Sequence, residues 1–143
     1  MVFIKGSLLS LVFGITTFLG LMIANRYKER VKDLKSMLSA LNIFETKIKY
    51  TYEPLPHIFE DIANKFKGSV GEIFYNTKNK MKLISADEAW EYSIENSNTN
   101  MNKEDLSIIK NLKNMLGKTD VEGQLSEIEL MKNFIEIQIE KSE

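Results

Sequence analysis

The sequence predicts an all-α protein in which one apolar amino-terminal helix precedes a compact bundle of about six helices. Residues 7–24 form a run without a charged residue. Beyond residue 25 the chain is rich in charge, and its apolar residues recur at steps of three and four, the spacing of one helix face. No segment alternates between apolar and polar residues for long enough to indicate a strand. These three observations are typical of a membrane-anchored helical protein.

The apolar run is long enough to cross a membrane. A helix over residues 7–24 is about 27 Å long, close to the thickness of a bilayer's hydrocarbon core. Basic residues follow it, and the more basic side of a span stays in the cytoplasm. A cleaved signal peptide is disfavoured, because the run is long and no small-residue cleavage site follows it. We therefore predict a transmembrane anchor over residues 1–25 and a cytoplasmic helical domain over residues 26–143. The basic residues are Arg26, Lys28, Arg30, Lys32 and Lys35.

Three small residues of the anchor, Gly6, Ser10 and Gly14, lie four residues apart on one helix face. Small residues at this spacing allow a second transmembrane helix to approach closely. Two interpretations are open. Either this face packs against another helix, or the residues are present because Gly and Ser are common in membrane spans.

The anchor helix is predicted to continue into the soluble part, since neither Pro nor Gly occurs between Gly20 and Tyr52. Glu45 occupies a position on its apolar stripe, and a carboxylate that faces a core is costly unless it is paired. Glu45 therefore either bends out to solvent at the rim or forms an ion pair with a Lys or Arg of another helix. The stripe consists of Val31, Leu34, Leu38, Leu41, Ile48 and Tyr52, and Met37 and Phe44 widen it.

Two prolines separate the first helix from the second. The residue before a proline disfavours helical geometry, so the first helix ends before Pro54, and Pro56 suits the first turn of the next. We predict the second helix over about residues 55–66, with Gly68 as its carboxyl-terminal cap. The lone histidine, His57, is expected to be solvated at its start.

A short third helix carries Val70, Ile73 and Phe74, and a fourth begins at Ser85. Ser85 with Glu88 matches a capping box, in which the two side chains bond reciprocally to backbone N–H groups. Trp90 lies on the fourth helix, where a large aromatic side chain is expected to fill the core.

The last two helices are predicted from their ends and from their apolar faces. The fifth starts at residues 102–105 and ends at Gly117. A second capping box, from Thr119 to Glu122, starts the last helix, which extends to about Lys141. Its two adjacent apolar stripes predict that it packs against two neighbours. One stripe contains Leu125, Ile128, Met131, Ile135 and Ile139, and the other contains Leu130, Phe134 and Ile137.

The composition excludes several function classes. The chain has no Cys, which excludes a disulfide scaffold, a zinc–thiolate site and a cysteine nucleophile. One His gives no pair of imidazole ligands, and neither a glycine-rich phosphate loop nor a nucleophile elbow occurs. A net charge of −1 gives no excess basicity for nucleic acid. We predict no enzymatic activity, metal, cofactor or small-molecule substrate.

Several short motifs follow one another along nearly the whole chain. RYKER (residues 26–30) comes directly after the apolar run, and Leu34, Leu38, Leu41 and Glu45 follow in the long helix. PLP (54–56), AWE (89–91) and LGKTD (116–120) come next, with Gln124 four residues further on. Each motif alone is weak, but their order and spacing resemble the stage III sporulation protein AB family of endospore-forming Firmicutes.

The resemblance implies a helical domain similar to the cytoplasmic domains of the type II secretion platform protein. It implies a non-enzymatic subunit of the channel complex that links the mother cell and the engulfed forespore. Such a subunit lies in the outer forespore membrane, with its soluble domain in the mother-cell cytoplasm. Its expected partners are a secretion-type ATPase and other membrane subunits of the complex. The residues expected to act in interaction or structural support are Arg26, Arg30, Glu45, Gly117, Asp120 and Gln124.

Two features depart from the family pattern. Family members carry a second apolar segment at the carboxyl end, whereas this chain stops at Glu143 on a charged helix, so it is either truncated or single-span. The basic-Pro step that follows the anchor in the family is Arg30-Val31 here. Nothing therefore interrupts the helix beyond the anchor.

Two other functions stay open on the sequence. A membrane-anchored scaffold or regulator would bind a partner helix, or anionic lipid through the basic residues 26–35, at about 1 kcal/mol per basic residue. A membrane-bound helical enzyme would need a cleft with converging, pKa-shifted groups. The sequence offers no such cluster.

Overall fold

The predicted all-helical fold is confirmed in a computed structural model, which describes residues 1–117 and 120–143. Six α-helices are present in these residues, with one 3-10 turn after the fifth, and no strand occurs among them. The bounds are Val2–Tyr50 (α1), Leu55–Lys65 (α2), Ser69–Lys80 (α3), Ala86–Glu95 (α4), Lys103–Lys110 (α5), Asn111–Asn114 (the 3-10 turn) and Val121–Ser142 (α6).

Helix α1 extends without interruption from the apolar run into the core of the body. Residues 1–28 are exposed, and buried side chains begin at Leu34. One window of this helix is long and apolar enough to cross a membrane, and none of it is buried in the structure. No break in α1 marks the predicted boundary between residues 25 and 26. The predicted anchor segment therefore continues into the body as one helix.

The apolar stripe of α1 differs from the predicted one. Tyr52 lies beyond the helix end and is fully exposed, while Val31, Leu38 and Ile48 are only partly buried. The structure buries a wider face because α1 packs against α2, α3 and α6 rather than along a single seam. The buried residues of α1 are Leu34, Met37, Ala40, Leu41 and Phe44.

The connection from α2 to α3 corrects the prediction for Gly68. Helix α2 ends at Lys65, its terminal cap is Phe66 in an extended conformation, and Gly68 instead precedes α3 with φ of 89°. That left-handed conformation favours glycine. Gly71 allows α3 to approach this connection closely, since a Cβ there would lie 1.9 Å from the backbone oxygen of Phe66.

The capping predictions have different outcomes. Ser85 precedes α4 as predicted, but its side chain makes no capping hydrogen bond. A hydrogen bond from Ser85 instead lowers the pKa of the Asp87 carboxyl. Thr119, the predicted start of the second capping box, lies outside the described residues. A capping box does form at α5, where the Asn102 and Asp105 side chains bond to each other's backbone N–H.

The core centres on four aromatic rings, from Phe44, Phe59, Phe74 and Trp90. Ring centroids lie between 5.2 and 6.0 Å apart in tilted and edge-on pairs. Trp90 is fully buried, as predicted, and its Nε1 donates a 2.9 Å hydrogen bond to the carbonyl oxygen of Ile109. This bond joins α4 to α5 at the centre of the body.

Helix α6 packs against two neighbours, as predicted, but only one of its two apolar stripes is covered. It contacts α1 on one side and α5 with the 3-10 turn on the other. Ile128, Met131, Ile135 and Ile139 are buried there, and Leu125 is partly buried. The second stripe is largely exposed, at 54% for Leu130, 46% for Phe134 and 45% for Ile137. The residues of α6 that face α1 and α5 come from the first stripe, and the second stripe stays outside these contacts.

Candidate interaction site at the base of the helical body

The candidate site is built from side-chain contacts around Arg26 and Arg30, at the base of the helical body. Within residues 1–117 and 120–143, no cluster of His, Cys, Asp or Glu could hold a metal ion. His57 is exposed at the start of α2.

The predicted packing face of the anchor is open in the structure. Gly6, Ser10 and Gly14 are exposed, and a Cβ added at either glycine would meet no atom within 4 Å. The Ser10 hydroxyl donates to the Gly6 carbonyl oxygen at 3.0 Å, a bond within the helix. Because this bond pairs the hydroxyl, the face formed by these three small residues presents no unpaired donor to a neighbouring helix.

Arg26 and Arg30 lie close together at the base of the body, just after the apolar run. Both line one depression, together with Ile23, Tyr27 and Asn100. Arg26 is exposed and forms no ion pair with any described residue. Arg30 is different, because most of its side chain is covered by α5 and α6.

Arg30 forms the most buried ion pair in the described part of the chain. Its Nε and Nη2 donate to the two carboxylate oxygens of Asp105 at 2.7 and 2.9 Å, and Nη2 also donates to Gln138 Oε1 at 3.3 Å. The side chain of Arg30 is 13% exposed and that of Asp105 is 0% exposed. The hydrogen bond with Asp105 raises the pKa of Arg30 above its ordinary value. Through these hydrogen bonds, two of them to one carboxylate, the guanidinium of Arg30 links α1 to α5 and α6.

Asp105 also completes the capping box at the start of α5. Its Oδ2 accepts from the backbone N–H of Asn102 at 3.0 Å, while Asn102 Oδ1 accepts from the Asp105 N–H at 2.8 Å. Nearby, Asp33 Oδ2 accepts from the Thr99 hydroxyl and from the backbone N–H of Asn100. We call Arg30, Asp33, Asp105 and Gln138 the basal clamp. It ties α1 to the loop before α5, to α5 itself and to α6.

Sequence reasoning identified Arg30 but missed its three companions in the basal clamp. Asp105 was assigned only to the start of a helix, where acidic residues are common. The Asn102–Asp105 spacing was a signal for a cap, but nothing local indicates that Arg30, 75 residues away, reaches the same carboxylate. Gln138 interrupts an apolar face of α6, and that interruption was the available sign of a buried polar contact.

Glu45 forms an ion pair with α6, which is the second of its two predicted interpretations. Its Oε2 lies 2.5 Å from Lys132 Nζ, and the side chains are 26% and 19% exposed. The pair lies 19 residues beyond Arg26 on α1, about 28 Å along the helix axis. Glu45 and Arg26 are therefore parts of different surfaces.

The turn before α6 contains the remaining predicted residues. Gly117 is exposed with φ of 91°, a conformation that suits a glycine after the 3-10 turn. Asp120 is exposed at the N-cap position of α6, where its side chain makes no capping hydrogen bond. Gln124 Nε2 donates to the Met115 carbonyl oxygen at 3.4 Å. Gln124 thus links α6 back to the 3-10 turn, across residues 118 and 119, which the structure does not describe.

Three comparisons with known proteins agree. The sequence model of the family "Stage III sporulation protein AB" matches residues 5–143. Stage III sporulation protein AB of Bacillus subtilis (strain 168) is 27% identical over 125 residues, which cover 85% of this chain and 73% of that protein. A solved structure of stage III sporulation protein AB aligns with a TM-score of 0.73 at 23% identity, over 81% of this chain and 94% of the other. The structural likeness supports the all-helical fold.

Proposed function

Because this chain belongs to the stage III sporulation protein AB family, we propose that it is a non-enzymatic assembly subunit anchored in a membrane. In the proposed role it is part of the channel complex between mother cell and forespore and couples a secretion-type ATPase to the membrane subunits. The anchor lies in the outer forespore membrane, and the helical body faces the mother-cell cytoplasm. The division at residue 25 into anchor and body is part of this proposal.

One observation carries the proposal. Helix α1 is continuous from the apolar window into the core, and the basal clamp fixes it to α5 and α6 just beyond that window. A force or rotation applied to the body therefore reaches the anchor through one helix and not through a flexible linker. This property supports a mechanical link between a cytoplasmic partner and membrane subunits.

The proposed contacts with the ATPase use Arg26 and Glu45, which lie at different heights on α1. We expect Arg26→Ala and Glu45→Ala each to weaken recovery of the ATPase in a pull-down by about tenfold, equivalent to 1.4 kcal/mol. Spore yield is expected to fall in parallel when these variants replace the natural protein in a spore-forming strain. Unchanged recovery and spore yield in both variants would contradict the assignment of these residues.

A matched control separates binding from stability at Glu45. Lys132→Ala breaks the same ion pair with α6 but leaves the Glu45 carboxylate in place. If Glu45 contacts the ATPase, Lys132→Ala keeps normal recovery while Glu45→Ala does not. Equal losses in the two variants would assign Glu45 to structural support alone.

The small face of the anchor is proposed to pack against another membrane subunit. The triple variant Gly6→Leu, Ser10→Leu and Gly14→Leu fills this face, so we expect the chain to remain in the membrane but to be lost from the assembled complex. Co-purification with tagged membrane subunits measures this loss. Val12→Leu with Ile15→Leu, on another face of the helix, is the control and is expected to assemble normally. Normal assembly of the triple variant would show that the anchor is a simple tether.

A further inference from the structure

The second apolar stripe of α6 has no cover within the described part of the chain. Leu130, Phe134 and Ile137 are about half exposed and follow one another at helical spacing. Phe134 and Leu130 line a depression with Ile108 of α5 and Asn111 and Asn114 of the 3-10 turn. We call Leu130, Phe134 and Ile137 the α6 ridge. Contiguous exposed apolar surface with a polar rim is typical of a contact site.

The surroundings of the α6 ridge are acidic. Glu127 lines its depression, further glutamates follow the outward side of the same helix, and none of them is ion-paired with a described residue. Lys141 is the cation that follows the ridge on the same face. The ridge therefore fits a surface that combines apolar and basic side chains. The glutamates are Glu122, Glu127, Glu129, Glu136 and Glu140.

This same chain presents such a surface on α1. Val31 and Phe66 form the apolar floor of a groove whose walls include Lys28, Lys32 and Lys35. Lys28 has no ion-pair partner among the described residues, and Lys32 has a distant one, Glu29, at 3.9 Å on its own helix. Lys35 pairs with Glu143, but both side chains are more than half exposed. We call this surface the α1 groove.

The α6 ridge and the α1 groove overlap in height above the apolar window. Helix α6 follows α1 in the opposite direction, because Lys132 pairs with Glu45 whereas Gln138 contacts Arg30. The ridge is therefore alongside the part of α1 between residues 30 and 45, and the groove occupies residues 28–39 of that helix. The two surfaces share no residue, so one copy can use both at once.

We propose that the α6 ridge of one copy docks in the α1 groove of a second copy in the same membrane. Copies anchored in one membrane share one orientation, so surfaces that overlap in height can meet side by side. The contact joins two different surfaces, and such a head-to-tail contact produces a ring or an open row. This self-association rests on the proposed anchoring of α1 in a membrane, and the test below distinguishes a failure of self-association from a failure of anchoring.

The absence of cysteine allows a direct test with the full chain in membranes. Asn133→Cys places a thiol beside the α6 ridge, and Ser39→Cys places one at the rim of the α1 groove, both at exposed positions. The two single variants, carrying different tags, are produced together, and the membranes are treated with a short bis-maleimide. We expect a crosslinked pair containing both tags, whereas each variant alone gives none. Tyr75→Cys, exposed on α3, replaces Ser39→Cys as the matched control and is expected to give no product.

Each outcome of this test has one meaning. A crosslinked pair from Asn133→Cys alone would indicate a symmetric α6–α6 contact and would overturn the proposal, as would the absence of any product. Phe134→Asp is expected to abolish the product and Tyr75→Asp to keep it, and high salt is expected to reduce it because the charges are exposed. Recovery of the chain in the soluble fraction would contradict the anchoring, while membrane recovery without product would contradict only the self-association.

Discussion

Replacement of Trp90 by alanine is expected to destabilise the helical body by about 3–5 kcal/mol, the range for loss of a large buried aromatic side chain. Trp90 is fully buried, with ring centroids 6.0 Å from Phe59 and 5.2 Å from Phe74. Its removal leaves a cavity among α2, α3 and α4, and it also leaves the Ile109 carbonyl without the indole donor. Much of the total stability of a domain of this size is expected to be lost.

The effect of Trp90→Ala is measured by urea unfolding of the full chain in detergent, followed by helical circular dichroism. Trp90→Phe keeps most of the ring volume and removes the donor, so we expect a smaller loss of about 1–3 kcal/mol. Tyr92→Ala, two residues away and 44% exposed, is the control and is expected to change stability by less than about 1 kcal/mol. An unfolding midpoint for Trp90→Ala equal to that of Tyr92→Ala would contradict the central role of this ring.

The helices and the central Trp could be predicted because they depend on local signals. Apolar spacing of three and four residues identifies a helix wherever it later packs, and Pro54 limits the end of α1 whatever surrounds it. Trp90 was predicted to be in the core because a single large aromatic on an apolar face has few other uses in a small helical protein. These features needed no knowledge of which helices are neighbours.

The errors at Gly68 and Ser85 come from signals with more than one meaning. A glycine near a helix end serves either as the cap of that helix or as the start of the next, and both positions accept a positive φ. Gly68 took the second role. Ser85 lies at the predicted cap, but its side chain bonds to Asp87 and not to the backbone, since a nearby carboxylate competes for the hydroxyl.

The candidate site was only partly predictable because its contacts are long-range. An apolar position on α6 looks the same in the sequence whether the same chain, another chain or solvent covers it, so the exposure of Phe134 could not be predicted. Glu45 was recognisable as an exception on an apolar stripe, but its partner Lys132 lies 87 residues away. Which charged residues pair across two helices depends on how the helices are aligned, and the residue pattern of one helix does not indicate that alignment.

The basal clamp gives the second large effect. Asp105→Ala removes the buried carboxylate that accepts both Arg30 donors and the Asn102 N–H, and it leaves the guanidinium without its charge partner. We expect a loss of about 3 kcal/mol, the low end for a broken buried ion pair, because Arg30 keeps a small exposure to solvent. Loss of the hydrogen bond between Asp105 and the Asn102 N–H at the start of α5 lowers the stability further. The measurement is again the urea unfolding of the full chain in detergent.

A double-mutant cycle tests whether this loss belongs to the pair. If Arg30 and Asp105 act together, Arg30→Ala adds little once Asp105 is already alanine, and the coupling is expected to be about 2 kcal/mol. The exposed pair between Lys110 and Glu95 is the control, with an expected coupling below about 1 kcal/mol. Equal couplings in the two cycles would show that the clamp is an ordinary surface contact. The Arg30–Asp105 pair lies where the exposed apolar window ends and the packed body begins. A large coupling energy for this pair would therefore show that it fixes the orientation of α1 relative to the body. If Asp105→Ala also stays in the membrane but fails to support sporulation, this fixed orientation is connected to the proposed mechanical role.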